Sequence, residues 1–379
     1  MRILFITAHN YIPQRYDGAV QAVNQLCHGL RTKGHQVSVL AALMPERALA
    51  FGLKVRVKMR MNAKLAGCKI ARSTSSGYPV WYAWFPWETV EYVVRKERPD
   101  LVVVTVTQPV RMALAARKTN TPILMLLQDV DFKQHGGAFE DLGQVPCVAN
   151  SNFTATKYRN AFGVSPDVIY PFIDTARYKT DTSRTNITFV NPHPEKGCDI
   201  AIEIARQCPE IPFSFVESWP LSTDSRSELF ARIKGIPNIT FKANQTEMRK
   251  VYRNCKVLLV PSIWEEAYGR VVIEAQVSGI PVVASTRGGL PEAVGPGGVL
   301  LDPIQPISDW RAAVLKLWRD DGYYSTLSAA ARAHVTTPEL SFDYQIDAFE
   351  DVMRRAASPT GFETRAHHRG MNPSPVVHR

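Results

Sequence analysis

The sequence predicts an α/β fold of two doubly wound, parallel-sheet domains, and three observations carry that prediction. At 379 residues the chain is too long for one ordinary hydrophobic core and suits two. Short apolar runs alternate with segments of helical periodicity, the order that builds a parallel sheet covered by helices. The alternation breaks once, at the proline-marked stretch Val168-Ile-Tyr-Pro-Phe-Ile-Asp174, and then resumes.

In the first half the expected strands are Arg2 to Thr7, Gln36 to Ala41, Leu101 to Val106, Pro122 to Leu127 and Cys147 to Ala149. The apolar start, Ile3 to Ile6, is too short for a signal-peptide core, and polar His9 and Asn10 follow it. It reads as a first buried strand. Val20 to Thr32 carries apolar residues at helical spacing and stops at Lys33-Gly34. The second series of strands is Ile187 to Val190, Pro212 to Val216, Asn238 to Lys242, Val257 to Val260 and Pro281 to Ala284. The expected division is therefore a first domain over 1–165, a linker over 166–183 and a second domain over 184–340. An amphipathic helix falls within 341–357. Residues 358–379 turn to Pro, Gly, His and Arg without periodicity, a composition expected to be disordered.

Composition narrows the function classes. A hydrophobic fraction of 45% and a charged fraction of 21% are those of a globular chain. No window holds the roughly 18 apolar residues of a membrane span. The six cysteines are scattered without CxxC spacing, which argues against a zinc site and a disulfide framework and for a reducing cytosol. The net charge of +10 gathers in one place: Arg47, Lys54, Arg56, Lys58, Arg60, Lys64, Lys69 and Arg72 stand with no acidic residue among them. From Lys54 to Met61 cations alternate with apolar residues, so an extended strand would separate them onto two faces. Such a run is either a solvated edge strand protected by its charges or a surface for anionic lipid head groups or a lipid-diphosphate acceptor. No nucleic-acid motif accompanies it, so nucleic acid is not expected as a partner.

Chemistry concentrates after the strand Val257 to Val260. Glu266 precedes a helix that Gly269-Arg270 opens, and Glu274 lies within its first turns. A helix N-terminus carries unpaired N–H groups and partial positive charge, suited to a diphosphate. A carboxylate on either side accepts hydrogen bonds from hydroxyls, which sugars and riboses offer. An isolated E-x7-E would more often be two solvated glutamates. Here the whole stretch from Val257 to Ala284, with Glu266-Ala-Tyr-Gly-Arg-Val-Val-Ile-Glu274 at its centre, resembles the donor-binding core of retaining family 4 glycosyltransferases. The likeness continues through Arg287-Gly-Gly-Leu-Pro-Glu292 and Leu300-Leu-Asp-Pro303.

That resemblance implies a GT-B arrangement of two Rossmann-like domains, with the acceptor held by the first and a nucleotide sugar by the second. The C-terminal helix would cross back to the first domain. Glu274 would hold the ribose hydroxyls, Glu266 the hydroxyls of the donor sugar, and the amides of Tyr268, Gly269, Arg270 and Val271 would face the phosphates. Lys196, in the turn Glu195-Lys-Gly197, would neutralise the departing diphosphate. Relatives carry Gly-Arg where Asn191-Pro192 stand, so one expected arginine is missing; His193 or Arg270 are candidates to substitute. Relatives also carry Gly-Gly where this chain has Asp17-Gly18-Ala19, which makes Gly18 a donor-side and Asp17 an acceptor-side candidate. Histidines that relatives show near the ends of first-domain strands are absent from Val104 to Gln108 and from Gln128 to Asp131. Asp129 remains a cleft candidate, and His135 reads as a surface residue. The implied reaction is glycosyl transfer with retention and without a metal or other cofactor. In its front-side route the leaving phosphate helps take the acceptor proton. The expected setting is cytoplasmic, peripheral on the inner membrane face through Lys54 to Arg72.

Three other readings compete. Asp129-Val-Asp131 after an apolar strand is the pattern with which metal-dependent transferases of another fold hold a divalent ion. A nicotinamide enzyme fails because no G-x-G-x-x-G follows the first strand. The third is a non-catalytic sugar-nucleotide binder or partner subunit, consistent with the missing arginine and histidines.

Overall fold

The computed structural model of the chain describes residues 1–43, 70–243 and 245–358. Most of the cationic run, Arg47 to Lys69, lies outside them, as does Cys68. Within the described residues the chain builds two sheets. The first joins β1 (Arg2–Asn10), β2 (Gln36–Ala42), β3 (Ile70–Ser73), β4 (Val80–Ala83), β5 (Leu101–Thr105), β6 (Ile123–Leu127), β7 (Cys147–Ala149) and β8 (Asp167–Val168). Their order is β3-β4-β2-β1-β5-β6-β7-β8, parallel throughout except for β3 against β4. The second joins β9 (Asn186–Val190), β10 (Phe213–Val216), β11 (Ile239–Lys242), β12 (Cys255–Val260), β13 (Val282–Ser285) and β14 (Gly298–Leu301), all parallel, in the order β11-β10-β9-β12-β13-β14.

Helices follow the strands. In the first half they are α1 (Gly18–Thr32), α2 (Val90–Glu97), α3 (Pro109–Arg117) and α4 (Asn152–Phe162). In the second they are α5 (Cys198–Gln207), α6 (Thr223–Ile233), α7 (Met248–Tyr252), α8 (Arg270–Gln276), α9 (Leu290–Val294), α10 (Ile307–Arg319), α11 (Asp321–Val335) and α12 (Phe342–Ala357). None among the described residues is long and apolar enough to cross a membrane.

The pleat explains why the strands read as unbroken apolar runs. Ile3 and Phe5 enter one core while Leu4 and Ile6 enter another on the opposite face. Val257 and Leu259 separate from Leu258 and Val260 in the same way. A parallel sheet covered on both faces has no polar side to alternate with. No expected strand corresponds to β3, β4, β8 or β14, each of four residues or fewer.

The last helix packs on the first sheet's core through Ile346, Phe349 and Met353, a spacing that puts them on one helix face. It crosses α1 at Gly29, where an added Cβ would lie 2.5 Å from Ile346 Cδ1. Polar contacts accompany the crossing: His35 Nε2 lies 3.1 Å from Glu350 Oε1, and Arg355 reaches Asp167 at 3.0 Å. A second junction forms where α4 begins. Ser151 Oγ donates to Ala267 O at 2.6 Å, and Glu292 accepts the amides of Asn152 and Phe153 at 2.8 and 2.7 Å. Those amides belong to the orphan donors of a helix start, so the carboxylate of Glu292 caps α4 from the other domain.

Strand order determines where a ligand site forms. In the first sheet the order reverses between β1 and β5, and in the second between β9 and β12. Crevices open outside the carboxyl ends of strands at such switch points. Both open into the same cleft.

Candidate active site

A cavity of about 590 Å³ lies between the two sheets, lined from β1 and β5 on one wall and from β9 and β12 on the other. Glu266, Lys196, Glu274, Tyr268, Gly269, Arg270, Val271, Asn191, Gly18, Asp17 and Asp129 all line it, whereas His193, His135 and Asp131 do not.

On the second-domain wall, β12 runs out at Pro261-Ser262. Lys196 comes from a separate 3-10 turn, Pro194–Lys196, after β9. The two loops are stitched together: Ile263 and Trp264 donate their amides to Glu195 O at 3.0 and 3.3 Å. Gly197 makes that contact possible. Its φ is +78°, and a Cβ there would lie 1.9 Å from the carbonyl oxygen of Pro261. The result brings Lys196 Nζ to 2.6 Å from Glu266 Oε1, which also accepts from Ser262 Oγ at 2.6 Å. The ammonium is flanked by the rings of Trp219 and Trp264, 4.4 and 4.7 Å from their centroids. Such faces attract a cation while excluding water from it.

Asn191 holds this arrangement from beneath. Its φ is +61°, and its Oδ1 accepts the amides of Ser218 and Trp219 at 3.0 and 2.6 Å. Its side chain thus fixes the turn that carries Trp219. His193 sits behind that tryptophan, its Nε2 3.4 Å from Trp219 O.

Gly269, with φ +107°, opens α8. Glu274 lies one turn inside, its side chain 7% exposed, accepting from Tyr252 OH at 3.0 Å and standing 3.6 Å from Arg270. Burial pushes its carboxyl above the usual range, against the lowering influence of Arg270 and the Tyr252 and Tyr178 hydroxyls. Arg270 Nη1 donates to Phe172 O at 2.9 Å, and its buried Nε has no hydrogen-bond partner among the described residues. Tyr268 turns its ring inward, 5.4 Å from Tyr170, so it meets the cleft mainly through its backbone.

The first-domain wall begins at the end of β1. Gly18 is the first residue of α1, and a Cβ on it would stand 3.3 Å from Arg270 Cδ, so the two walls touch here. Asp17 is the N-cap of that helix, its Oδ1 accepting from Val20 N at 3.0 Å. Burial would raise its carboxyl, but His9, Arg15 and the Val20 amide outweigh that and bring it down to about 2. His9 Nε2 lies 2.8 Å from Asp17 Oδ2, and its Nδ1 lies 2.9 Å from Thr107 Oγ1. The expected positions for a cleft histidine, at the ends of β5 and β6, hold none; His9 instead stands at the carboxyl end of β1, and its place right behind the apolar run Ile3 to Ile6 was the available signal.

Asp129 and Asp131 both close their own turn. Asp129 Oδ1 accepts the amides of Val130 and Asp131 at 2.7 and 3.0 Å, and Asp131 accepts from Lys133 N and Gln134 Nε2 at 3.2 and 2.9 Å. The expectation that His135 is a surface residue is corrected. It is buried among Phe132, Phe139, Tyr158 and Phe162, with Nε2 2.9 Å from Tyr158 OH, because an apolar pocket can hold a neutral imidazole that has one hydrogen-bond partner. Arg72 is the one member of the basic run in a described strand; it stands 3.7 Å from Glu97 and 5.7 Å from the Trp81 ring.

Comparison with known proteins supplies the family and the fold. Residues 184–320 match the family model described as glycosyl transferases group 1, and residues 16–177 match that of glycosyltransferase family 4. A D-inositol 3-phosphate glycosyltransferase of Mycolicibacterium vanbaalenii is 31% identical over 54% of this chain and 50% of its own length. One from Rhodococcus jostii is 30% identical over 55% and 52%. The chain thus spans about half the length of these curated relatives. Among solved structures, Anabaena HepE in complex with UDP and glucose superposes with a TM-score of 0.72 at 20% identity, over 93% of this chain and 99% of that one. Sucrose-phosphate synthase of Thermosynechococcus elongatus superposes at 0.73 and 15% identity, over 94% and 100%. The fold is GT-B, and the two family models together span both sheets: the chain belongs to the family 4, group 1 glycosyltransferases.

Proposed function

We propose that the chain is a retaining glycosyltransferase that moves a sugar from a nucleotide diphosphate sugar to an acceptor hydroxyl, without a metal or other cofactor. The observation that carries this reading is the Lys196–Glu266 pair, set between two tryptophans in a cleft to which both sheets contribute. As the sugar–phosphate bond breaks, negative charge develops on the leaving diphosphate. A desolvated ammonium already in place stabilises that charge without reorganisation. Glu266 faces the ammonium; a donor diphosphate would take its place, with Glu266 turning to the sugar hydroxyls. Glu274 would accept from the ribose, and the backbone from Tyr268 to Val271 would meet the phosphates. Arg270, which lines the cleft and whose Nε has no hydrogen-bond partner among the described residues, is the candidate for the arginine missing near Asn191.

Relatives named as D-inositol 3-phosphate glycosyltransferases and a neighbour crystallised with UDP-glucose support the reaction class and the donor class. The cations from Lys54 to Arg72 favour a lipid-linked or cell-envelope acceptor met at the cytoplasmic face of the membrane. Binding to anionic liposomes at low salt tests that part, and its absence removes it. The reaction itself is tested by a thermal-shift screen of UDP-, GDP- and ADP-sugars, since a tight ligand raises the melting temperature. Nucleoside diphosphate release is then measured with EDTA present. Tight binding without release or transfer to any acceptor would favour a binder instead.

A further inference from the structure

The loop that carries Glu266 is held by the first domain on both sides of that residue. Lys157 Nζ, in the second turn of α4, lies 2.7 Å from Glu265 Oε2. Ser151 Oγ donates to Ala267 O at 2.6 Å, and Thr154 Oγ1 reaches the same carbonyl at 3.2 Å. Ser151 and Thr154 are buried completely. Their two hydroxyls therefore meet Ala267 O where a hydrogen bond is strong and a lost one is costly.

The second domain holds the same peptide with a glycine pair. Gly289 N donates to Glu266 O at 2.7 Å. Gly288 has φ +65°, and a Cβ on it would lie 2.1 Å from Glu266 O; one on Gly289 would lie 2.6 Å from Ala267 O. The backing turn is tied to α4 as well, because Glu292 accepts the amides of Asn152 and Phe153. Both neighbours of Glu266 and the turn behind it are thus fastened to one helix start, while its carboxylate reaches Lys196 in the cleft. A flexible side chain places its carboxylate only as well as its backbone is held. The other junction differs: α12 packs on the first domain through Ile346, Phe349 and Met353, none of which lines the cleft.

We propose that Ser151, seconded by Thr154, is a positioning residue for the donor sugar. It sets Glu266 through the Ala267 carbonyl, so the first domain helps to shape the donor site that the second domain builds. The inference rests on the transferase reading and deepens it. Ser151 itself does not line the cleft and acts only through Glu266.

Ser151 also caps α4, its Oγ accepting from Thr154 N at 2.9 Å, so its loss costs stability in any case. Two variants separate the roles. Thr154→Val removes the second hydroxyl and leaves that cap bond in place. Ser222→Ala removes a cap of the same kind from α6, the bond to Ser225 N at 3.1 Å, at a residue that does not line the cleft.

The test measures nucleoside diphosphate release per folded molecule from UDP-, GDP- and ADP-glucose, with water or methyl glucoside supplying the hydroxyl. Ser151→Ala is expected to slow release about tenfold or more, and Thr154→Val about threefold. Ser222→Ala should keep the parent's rate. Affinity for UDP, GDP and ADP, which lack the sugar, should be unchanged in all three. In Glu266→Gln, Ser151→Ala should add no further slowing, because two changes that act through one group do not add. Should Ser151→Ala fail to fold, the Thr154→Val rate decides. The proposal is overturned if the deciding variant keeps the parent's rate, if Ser222→Ala is slowed equally, if the slowing is the same in Glu266→Gln, or if bare-nucleotide affinity falls in parallel. A parent protein that binds these sugar nucleotides and releases nothing from them overturns the transferase reading itself.

Discussion

Lys196 Nζ lies 2.6 Å from Glu266 Oε1 across 70 residues of sequence, and a single glycine permits the approach. The pair is nearly dry: the lysine and glutamate side chains are 9% and 14% exposed. Removing one partner therefore leaves a buried charge without its counter-ion. Lys196→Ala is expected to reduce turnover about a hundred- to thousandfold, the usual cost of losing one electrostatic contact to a transition state. Glu266→Ala should cost turnover more than nucleotide affinity. Initial rates and nucleotide titrations on the same preparations check both.

Gly197 is the hinge of that geometry. A side chain there meets Pro261 O at 1.9 Å and adopts φ +78°. Gly197→Ala is expected to cost ~1–3 kcal/mol from the backbone conformation alone, with the clash added. Denaturant unfolding gives the stability; a loss of turnover larger than the loss of folded protein shows that Lys196 has moved.

Glu274 offers a pH signature. Burial holds its carboxyl above the ordinary value of 4.5, so the folded chain keeps a proton that the unfolded chain has released. The stability lent by protonated Glu274 is complete below about pH 4.5 and is lost as pH rises through the folded value. Glu274→Gln, neutral throughout, should gain on the parent in that direction while binding nucleotide less tightly by about 1–3 kcal/mol. A difference in melting temperature that stays flat with pH contradicts this.

Asp17 behaves in the opposite sense. Its carboxyl falls from 3.8 to about 2 on folding, so its contribution is present above about pH 3.8 and is lost as pH falls towards 2. Asp17→Asn should flatten the acid limb of the stability profile in that window.

Glu292 joins the domains by capping α4. Glu292→Ala removes the acceptor of two helix-start amides and is expected to cost about 0.5–2 kcal/mol, seen by unfolding with Glu292→Gln as the milder control.

Much of this was legible from residue order alone. The apolar runs that became β1, β5, β6, β9, β12 and β13 were visible because strands buried on both faces cannot hide among polar residues. Glu266, Glu274 and Lys196 stood out through the family resemblance of two short stretches, Val257 to Ala284 and Glu195 to Gly197; their spacing alone reads as solvated glutamates and a turn lysine. Thr107 and His9 did not stand out, since they meet only when β1 and β5 pair side by side across 98 residues. Trp219 and Trp264 escaped for the same reason: their common purpose, the Lys196 ammonium, exists only after three loops converge. The inward turn of Asn191 could not be read either, because one asparagine serves equally as ligand or as turn cap.

The central claim is that the Lys196–Glu266 pair serves departure of a nucleoside diphosphate. Single-turnover release from the sugar nucleotide that most raises the parent's melting temperature tests it most directly. The parent should release nucleoside diphosphate, and Lys196→Ala should bind the nucleotide yet release it about a hundredfold more slowly or worse. Equal rates in the parent and Lys196→Ala would contradict the claim.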